Sequence, residues 1–385
     1  MRRSIRLQSG MYNECGGKVL CCDSDRDGFP ELIFHTGTID PSDPLRWEVW
    51  EYRPVNCFEL VFADTGAYPR PPGILTGNLL PFDIGDIDQD GLVDMVGINV
   101  EQSQHPDTVY DLIAVHESPD SFSYPSEMVW QYRYGTNLTI PQPLCYVPDL
   151  DGDSQQEILM PTPGLGIALW ENVADNDNRL VWVDPIVNQV WGLTGGDFDL
   201  DGRGEYVGGF YNAHVVENAI AEQDTYALVF VDSTRRANGH DVFSGNDLDQ
   251  DGLPEFFIRF WDVPMSRFYL YCWERSGDNQ YERTLVDQRL MSTQGSSRSI
   301  CGDLDGDGVE EAVWALARGA YVYKAIGNNS YEEVWHWVDD HGPHECDCQC
   351  PRHEREWVQR PDPGGQWQDV GVRGRGCPGA IPERW

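Results

Sequence analysis

The chain has 385 residues, 40% of them hydrophobic and 12% aromatic, with 39 Gly, 25 Pro and 14 Trp, a composition for a large core, many turns and few long helices. Its 64 Asp and Glu against 27 Lys and Arg leave a formal charge of −37, a field that repels nucleic acid and anionic membrane surfaces and attracts cations. No apolar run reaches the length of a membrane span, so neither a nucleic-acid partner nor a membrane span is expected.

The opening Met1-Arg2-Arg3-Ser4-Ile5-Arg6 has the charge of a secretory signal without the apolar segment that should follow, so either the true N-terminus is missing or export uses another route. The first repeat then begins. A short apolar run at 18–22 leads into DSDRDGFPE at 23–31, a second run ELIF at 31–34, and a hairpin pattern at 49–62. The order recurs with PFDIG at 81–85, DIDQDGLVD at 86–94 and DMVGI at 94–98, then with PLCYV at 143–147, DLDGDSQQE at 149–157, EILM at 157–160 and a hairpin at 169–183. The fourth copy, DFDLDGRGE at 197–205, precedes EYVGGF at 205–210 and a degenerate hairpin after Tyr226. DLDQDGLPE at 247–255 with EFFIRF at 255–260, and DLDGDGVEE at 303–311 with EAVWAL at 311–316, complete the series, with hairpins at 271–286 and 322–337.

Each nine-residue loop has carboxylates at positions 1, 3, 5 and 9. They are Asp23, Asp25, Asp27 and Glu31; Asp86, Asp88, Asp90 and Asp94; Asp149, Asp151, Asp153 and Glu157. The later copies supply Asp197, Asp199, Asp201 and Glu205; Asp247, Asp249, Asp251 and Glu255; Asp303, Asp305, Asp307 and Glu311. A merely solvated acidic turn has no reason to keep one register six times. A hard cation does. Ca²⁺ takes six to eight oxygens, alternating Asp residues can turn inward, position 7 can offer a carbonyl, and Gly at position 6 permits the sharp turn. About six structural Ca²⁺ ions are expected. The third copy has Ser154 in place of that glycine, and a weaker site is expected there. An EF-hand would need Glu at position 12, where the six copies have Phe34, Gly97, Met160, Gly208, Ile258 and Trp314.

The apolar runs are β-branched or aromatic, and Asn, Asp and Gly punctuate the hairpins. Four strands per repeat predict an all-β fold: a β-propeller of six recognisable blades, with a seventh expected. The blades fall at roughly 16–75, 76–138, 139–188, 189–237, 238–292 and 293–340, within a propeller spanning 1–340. Of the 11 Cys, Cys21, Cys145 and Cys301 precede acidic loops where other copies have Ile84, Gly195 and Gly245, which reads as small buried residues and not as a disulfide framework. Nine scattered His read as surface residues, and the aromatics as fillers of the wedge between blades.

The D-x-D-x-D-G-x-x-[DE] loop followed by a short apolar strand, over about residues 16 to 340, resembles the FG-GAP/VCBS repeat proteins, including the integrin α-subunit propellers. The resemblance implies that each loop joins the first two strands of a blade and holds one Ca²⁺, with partners bound elsewhere on the propeller. It is weak on function, because such repeats serve adhesins, lectins and polysaccharide lyases.

The tail at 341–385 departs from the pattern. Cys346, Cys348 and Cys350 near His341, His344 and His353 could ligate a soft metal such as zinc, although Cys at this spacing close a tetrahedral site poorly. Alternatively the tail is a frameshifted or degenerate seventh blade. Codons for Asp347–Glu356 read one base later permit TVNAHGTSE, 44 residues after the sixth loop begins, a reading the nucleotide sequence tests.

The functional expectation is a secreted or surface-displayed calcium-binding propeller, a binding or adhesion module for an extracellular protein or polysaccharide ligand. Its rims are the long loops Asp64–Leu80 and Glu101–Val109. The alternative is a lectin or a carbohydrate-active enzyme, a lyase or glycosidase, on the same scaffold. No H-E-x-x-H, G-x-S-x-G or phosphate-binding glycine loop is found, and no catalytic residue is assigned. Asn137 and Asn328 begin glycosylation sequons.

Overall fold

Residue alternation decides how this chain packs. In a strand successive side chains point to opposite faces, so a run apolar on both faces must be covered on both. Glu255–Asp262 shows the consequence: Phe256, Ile258 and Phe260 face one neighbouring sheet, while Phe257 joins the cluster on the other side. Arg259 follows Phe257, its guanidinium reaching the Ala315 carbonyl of the next sheet at 3.0 Å.

The computed structural model describes residues 20–338, apart from 37–45, 54–56, 64–73, 104–108, 136–144, 148, 163–165, 185–191, 210–211, 233–237, 263, 291–298, 305–306 and 317–318, together with 358–361 and 367–370. It contains six four-stranded antiparallel sheets arranged as a β-propeller, each in simple sequence order, and no helix among the described residues. Blade 1 comprises β1 (Leu20–Cys22), β2 (Glu31–Thr36), β3 (Arg46–Arg53) and β4 (Cys57–Ala63). Blade 2 comprises β5 (Ile74–Gly85), β6 (Asp94–Ser103), β7 (Val109–Glu117) and β8 (Glu127–Gly135). Blade 3 is β9 (Cys145–Val147), β10 (Glu157–Thr162), β11 (Gly166–Ala174) and β12 (Asp177–Asp184). Blade 4 is β13 (Gly192–Gly196), β14 (Glu205–Gly209), β15 (Ala213–Asn218) and β16 (Tyr226–Asp232). Blade 5 is β17 (Asn238–Ser244), β18 (Glu255–Asp262), β19 (Arg267–Gly277) and β20 (Gln280–Leu290). Blade 6 is β21 (Ile300–Gly302), β22 (Glu311–Leu316), β23 (Gly319–Gly327) and β24 (Ser330–Val338). In the tail, β25 (Val358–Pro361) and β26 (Trp367–Val370) form a two-stranded hairpin. A seventh four-stranded blade is not among the described residues; the Cys346–Cys350 run and the Asp347–Glu356 segment lie outside them.

First strands touch first strands, β1 to β5, β5 to β9, and on through β13 and β17 to β21. They crowd together. A Cβ on Gly195 would come within 2.5 Å of the Val147 side chain on the preceding blade. The apolar clusters lie between consecutive blades, not within them: Trp47 packs towards Met95 and Ala114, Trp170 among Phe82 and Ile98, Trp273 among Phe198 and Val207, and Trp314 among Phe257 and Leu270. These four Trp are essentially fully buried, as wedge-filling requires.

A second sixfold feature has no counterpart in the motif. Each ladder between the third and fourth strands carries a bulge at the same place, and the extra residue is a valine: Val61, Val129, Val181, Val229, Val286 and Val334. The first five lean partly buried on the inter-blade clusters. A bulge sharpens strand twist, and its repetition gives every blade the same twist at its fourth strand.

Candidate metal centres

All six acidic loops join the first and second strands of a blade. Short Asp side chains hold them closed. The position-6 amide donates to the position-1 carboxylate: Gly28 to Asp23, Gly91 to Asp86 and Gly202 to Asp197 at 3.1 Å, Ser154 to Asp149 at 2.7 Å, Gly252 to Asp247 at 2.9 Å and Gly308 to Asp303 at 3.0 Å. The position-7 amide donates to the position-5 carboxylate at 2.7–3.0 Å in every copy. Asp305, at position 3 of the sixth copy, lies outside the described residues.

The loop places two residues in the left-handed region, at positions 4 and 6. In the first, second, fourth and fifth copies position 4 is Arg26, Gln89, Leu200 or Gln250, at φ 56–62°, and position 6 is glycine. The third copy exchanges them. Gly152 takes position 4 at φ 85° and Ser154 takes position 6 at φ 76°. Its tally of strained non-glycine residues equals that of the other four, so Ser154 alone gives no conformational ground for a weaker site.

Position 9 opens the second strand and points inward. Glu31, Asp94, Glu157, Glu205, Glu255 and Glu311 are all buried, and each accepts the position-2 amide at 2.6–3.0 Å. The remaining oxygens of the first four, Glu31 Oε1, Asp94 Oδ1, Glu157 Oε1 and Glu205 Oε1, are buried and meet no donor among the described residues. Burial, and secondarily repulsion from the neighbouring Asp residues, pushes these groups up: Asp94 to about 8, Glu157 and Glu205 to about 9, Glu255 to about 7, with Glu31 also raised. Position 2 is the loop's own anchor. Ile87, Leu150, Phe198 and Leu248 insert into the cluster shared with the following blade.

Two further contributors were not singled out in the sequence. The first is a fifth acid on the third strand, directly across the ladder from position 9: Glu51 opposite Glu31, Glu117 opposite Asp94, Glu171 opposite Glu157, Glu217 opposite Glu205 and Glu274 opposite Glu255. All five are buried. The second is the hairpin tip of the next blade. Asn176, Asn279 and Asn329 end two-residue turns at φ 50–55°. Their amides donate to Asp88 at 2.9 Å, Asp199 at 2.7 Å and Asp249 at 2.6 Å, the position-3 acids of blades 2, 4 and 5. The Asn176 and Asn279 side chains donate to Glu117 and Glu217. Longer connections serve blades 1 and 3: Tyr124 donates to Glu51 at 2.9 Å, and the Glu222 amide to the Asp151 carbonyl at 2.8 Å. Each of the first five loops is therefore also a joint to the following blade.

Ligand atoms of Asp23, Asp25, Asp27 and Glu31 lie within 4.8 Å of one another, as do those of Asp197, Asp199, Asp201 and Glu205, of Asp86, Asp88 and Asp90, and of Asp149, Asp151 and Glu157. The donors are hard oxygens, and undirected buried carboxylate oxygens face the cluster, which fits Ca²⁺ rather than a soft metal.

Other expectations need adjustment. His116 is fully buried against Trp47, a core residue and not a surface one, and burial pushes its imidazole down to about 4. Asn328 donates to Asp251 at 2.5 Å across a blade boundary, so a glycan there would break a joint; Asn137 lies outside the described residues. Cys272 and Cys301 are in no disulfide, and the Cys22 thiol donates to Glu31 Oε2 at 3.6 Å. Of the two long rims, 64–73 and 104–108 lie outside the described residues.

No known protein family matches the chain, and no curated protein matches it in sequence. Among solved structures it is similar to the BP39L lectin from Burkholderia pseudomallei, with a TM-score of 0.51 and 8% identity over 83% of this chain and 84% of that one. At that identity the likeness is one of fold, a β-propeller.

Proposed function

We propose that the chain is a calcium-dependent binding propeller of the FG-GAP/VCBS kind, secreted or displayed at a cell surface, that presents its rims to a glycan or protein ligand. The observation that carries the calcium reading is the set of buried, undirected oxygens on Glu31, Asp94, Glu157 and Glu205, each beside further carboxylates. Burying an ionised group without a partner is costly, and a divalent ion is a partner that would remove the cost at these four copies. Calcium sites of extracellular modules work at roughly 10⁻⁴–10⁻³ M, which supports a location outside the cell. The binding role is supported by a fold like that of a lectin propeller. A glycan and protein array probed in millimolar Ca²⁺, and again after chelation, tests it. Retention of a ligand class only in Ca²⁺ is expected. Cleavage of a retained glycan would favour the carbohydrate-active enzyme instead, and an array silent in Ca²⁺ would reject a glycan ligand.

A further inference from the structure

Blade 6 breaks the pattern of the fifth acid. Across the ladder from Glu311 stands Lys324, next to the Ala312–Tyr323 pair, where the other blades have Glu51, Glu117, Glu171, Glu217 and Glu274. Its ammonium lies 2.8 Å from Glu311 Oε1 and 2.6 Å from Asp307 Oδ2. Glu311 is only 2% exposed, and its Oε1 corresponds to the oxygen that has no donor in blades 1 to 4. Replacing a carboxylate by an ammonium changes the local charge by two units, the charge of one calcium ion.

Other cations near the loops do not reach the position-9 acid, although Arg53 Nη1 pairs with the buried third-strand Glu51. Arg53 approaches Asp27 at 3.8 Å and Arg203 approaches Asp201 at 3.9 Å, both at partly exposed position-5 acids, and Glu31 Oε1 and Glu205 Oε1 stay open. Lys324 alone among these bridges position 5 and the buried position 9. An ammonium is a compact point charge with three donors, tethered here at high local concentration. A divalent ion entering the loop would meet it at close range and would have to expel it from two charge-assisted bonds.

We infer that the sixth loop is closed by its own Lys324 and takes up no divalent ion, so that the chain binds five calcium ions and not six. The inference rests on the calcium reading of the other loops. It makes Lys324 the residue that decides ion occupancy in this blade, and it leaves blade 6 the one whose loop is formed independently of calcium.

The test is an ion count by equilibrium dialysis against excess Ca²⁺ for the intact chain and two variants. Five ions are expected for the unmodified chain, six for Lys324→Glu, which restores the acid of the other blades, and five for Asp307→Asn. Six ions on the unmodified chain, or the loss of one on Asp307→Asn, would overturn the inference while leaving the calcium reading intact. A count that stays at five in Lys324→Glu would show that the lysine is not what closes the site. One ion or none on all three proteins would instead reject the calcium reading itself. Asp307→Asn does not depend on the folding of the lysine variant, so the comparison stands if that variant misfolds.

Discussion

The Asn279 amide donates to Asp199 Oδ2 at 2.7 Å across the boundary between blades 4 and 5, while its side-chain amide donates to both oxygens of Glu217 at 3.1 Å. One turn residue thereby holds a loop acid and the third-strand acid behind it. The position-2 residue of the same loop, Phe198, is buried in the cluster shared by the same two blades. A cation gathered by the loop would fix the orientation of acids that the neighbouring blade also grips, so ion binding and blade docking act on the same atoms.

Asn279→Asp separates these roles. It removes two donors from a buried carboxylate and adds a charge beside it, which should cost about 1–3 kcal/mol in the metal-free protein. In Ca²⁺ the added acid faces a cation-bearing loop, and the loss should shrink. Urea titrations with and without Ca²⁺ compare the two; an equal loss in both would uncouple the hairpin tip from the ion.

The anchoring residue of each loop gives a paired comparison. Leu248 is fully buried between blades 5 and 6, whereas Leu304 at the same position of the sixth loop is 39% exposed. Leu248→Ala should cost about 2–5 kcal/mol through transfer and cavity terms. Leu304→Ala should cost roughly 0.5 kcal/mol or less. Similar losses in chemical denaturation would mean that the inserted side chain is not what seats the loop.

Metal-free and calcium-loaded protein should respond oppositely to pH. Glu157 and Glu205 are raised from 4.5 to about 9, Asp94 from 3.8 to about 8 and Glu255 from 4.5 to about 7, chiefly by burial. The folded state then holds more protons than the unfolded one, so stability is greatest below the unfolded values and is lost as pH rises through the folded ones. Demetallated protein should melt lower at pH 8 than at pH 5.5. Protons compete with Ca²⁺ for the same oxygens, so the stabilisation by Ca²⁺ should grow over that interval. Melting curves at the two pH values, in each metal state, show whether the slopes have these signs.

Much of the fold was legible because period-two alternation and a fixed acidic register survive as strings. EFFIRF already requires cover on both faces, and six D-x-D loops at one register already require six equivalent turns. The metal environment was half legible. Glu51, Glu117, Glu171, Glu217 and Glu274 are single acids among 64, and only the strand register sets each opposite position 9. The Asn of the D-N and N-N turns read correctly as a hairpin residue, but its second partner is on another blade, at a sequence distance of 80–88 residues. The bulged valines sit in strands already rich in valine and aromatics, and no periodicity separates them from their neighbours. His116 looked like any scattered histidine until the packing of Trp47 enclosed it.

Ion selectivity follows from the donor set. Mg²⁺ requires a near-octahedral shell at short distances and gives up its water reluctantly, whereas these loops offer a wider, all-protein cage of carboxylates. Ca²⁺ should therefore raise the melting temperature well above the level reached with equimolar Mg²⁺. Equal shifts would point to general screening of the −37 charge and away from defined sites.

The most direct test is a thermal melt followed by circular dichroism, in millimolar Ca²⁺ and again on demetallated protein in chelator. Binding to the folded state alone contributes about 2.7 kcal/mol per site at a hundredfold excess over Kd. Several such sites rival the whole stability of a typical domain, about 5–15 kcal/mol. The account predicts that chelation unfolds or greatly loosens the propeller, with a melting temperature lower by on the order of 10 °C or more. An unchanged melting temperature would contradict it, because the clustered, buried carboxylates of the first five loops would then be stable without the cation that explains them.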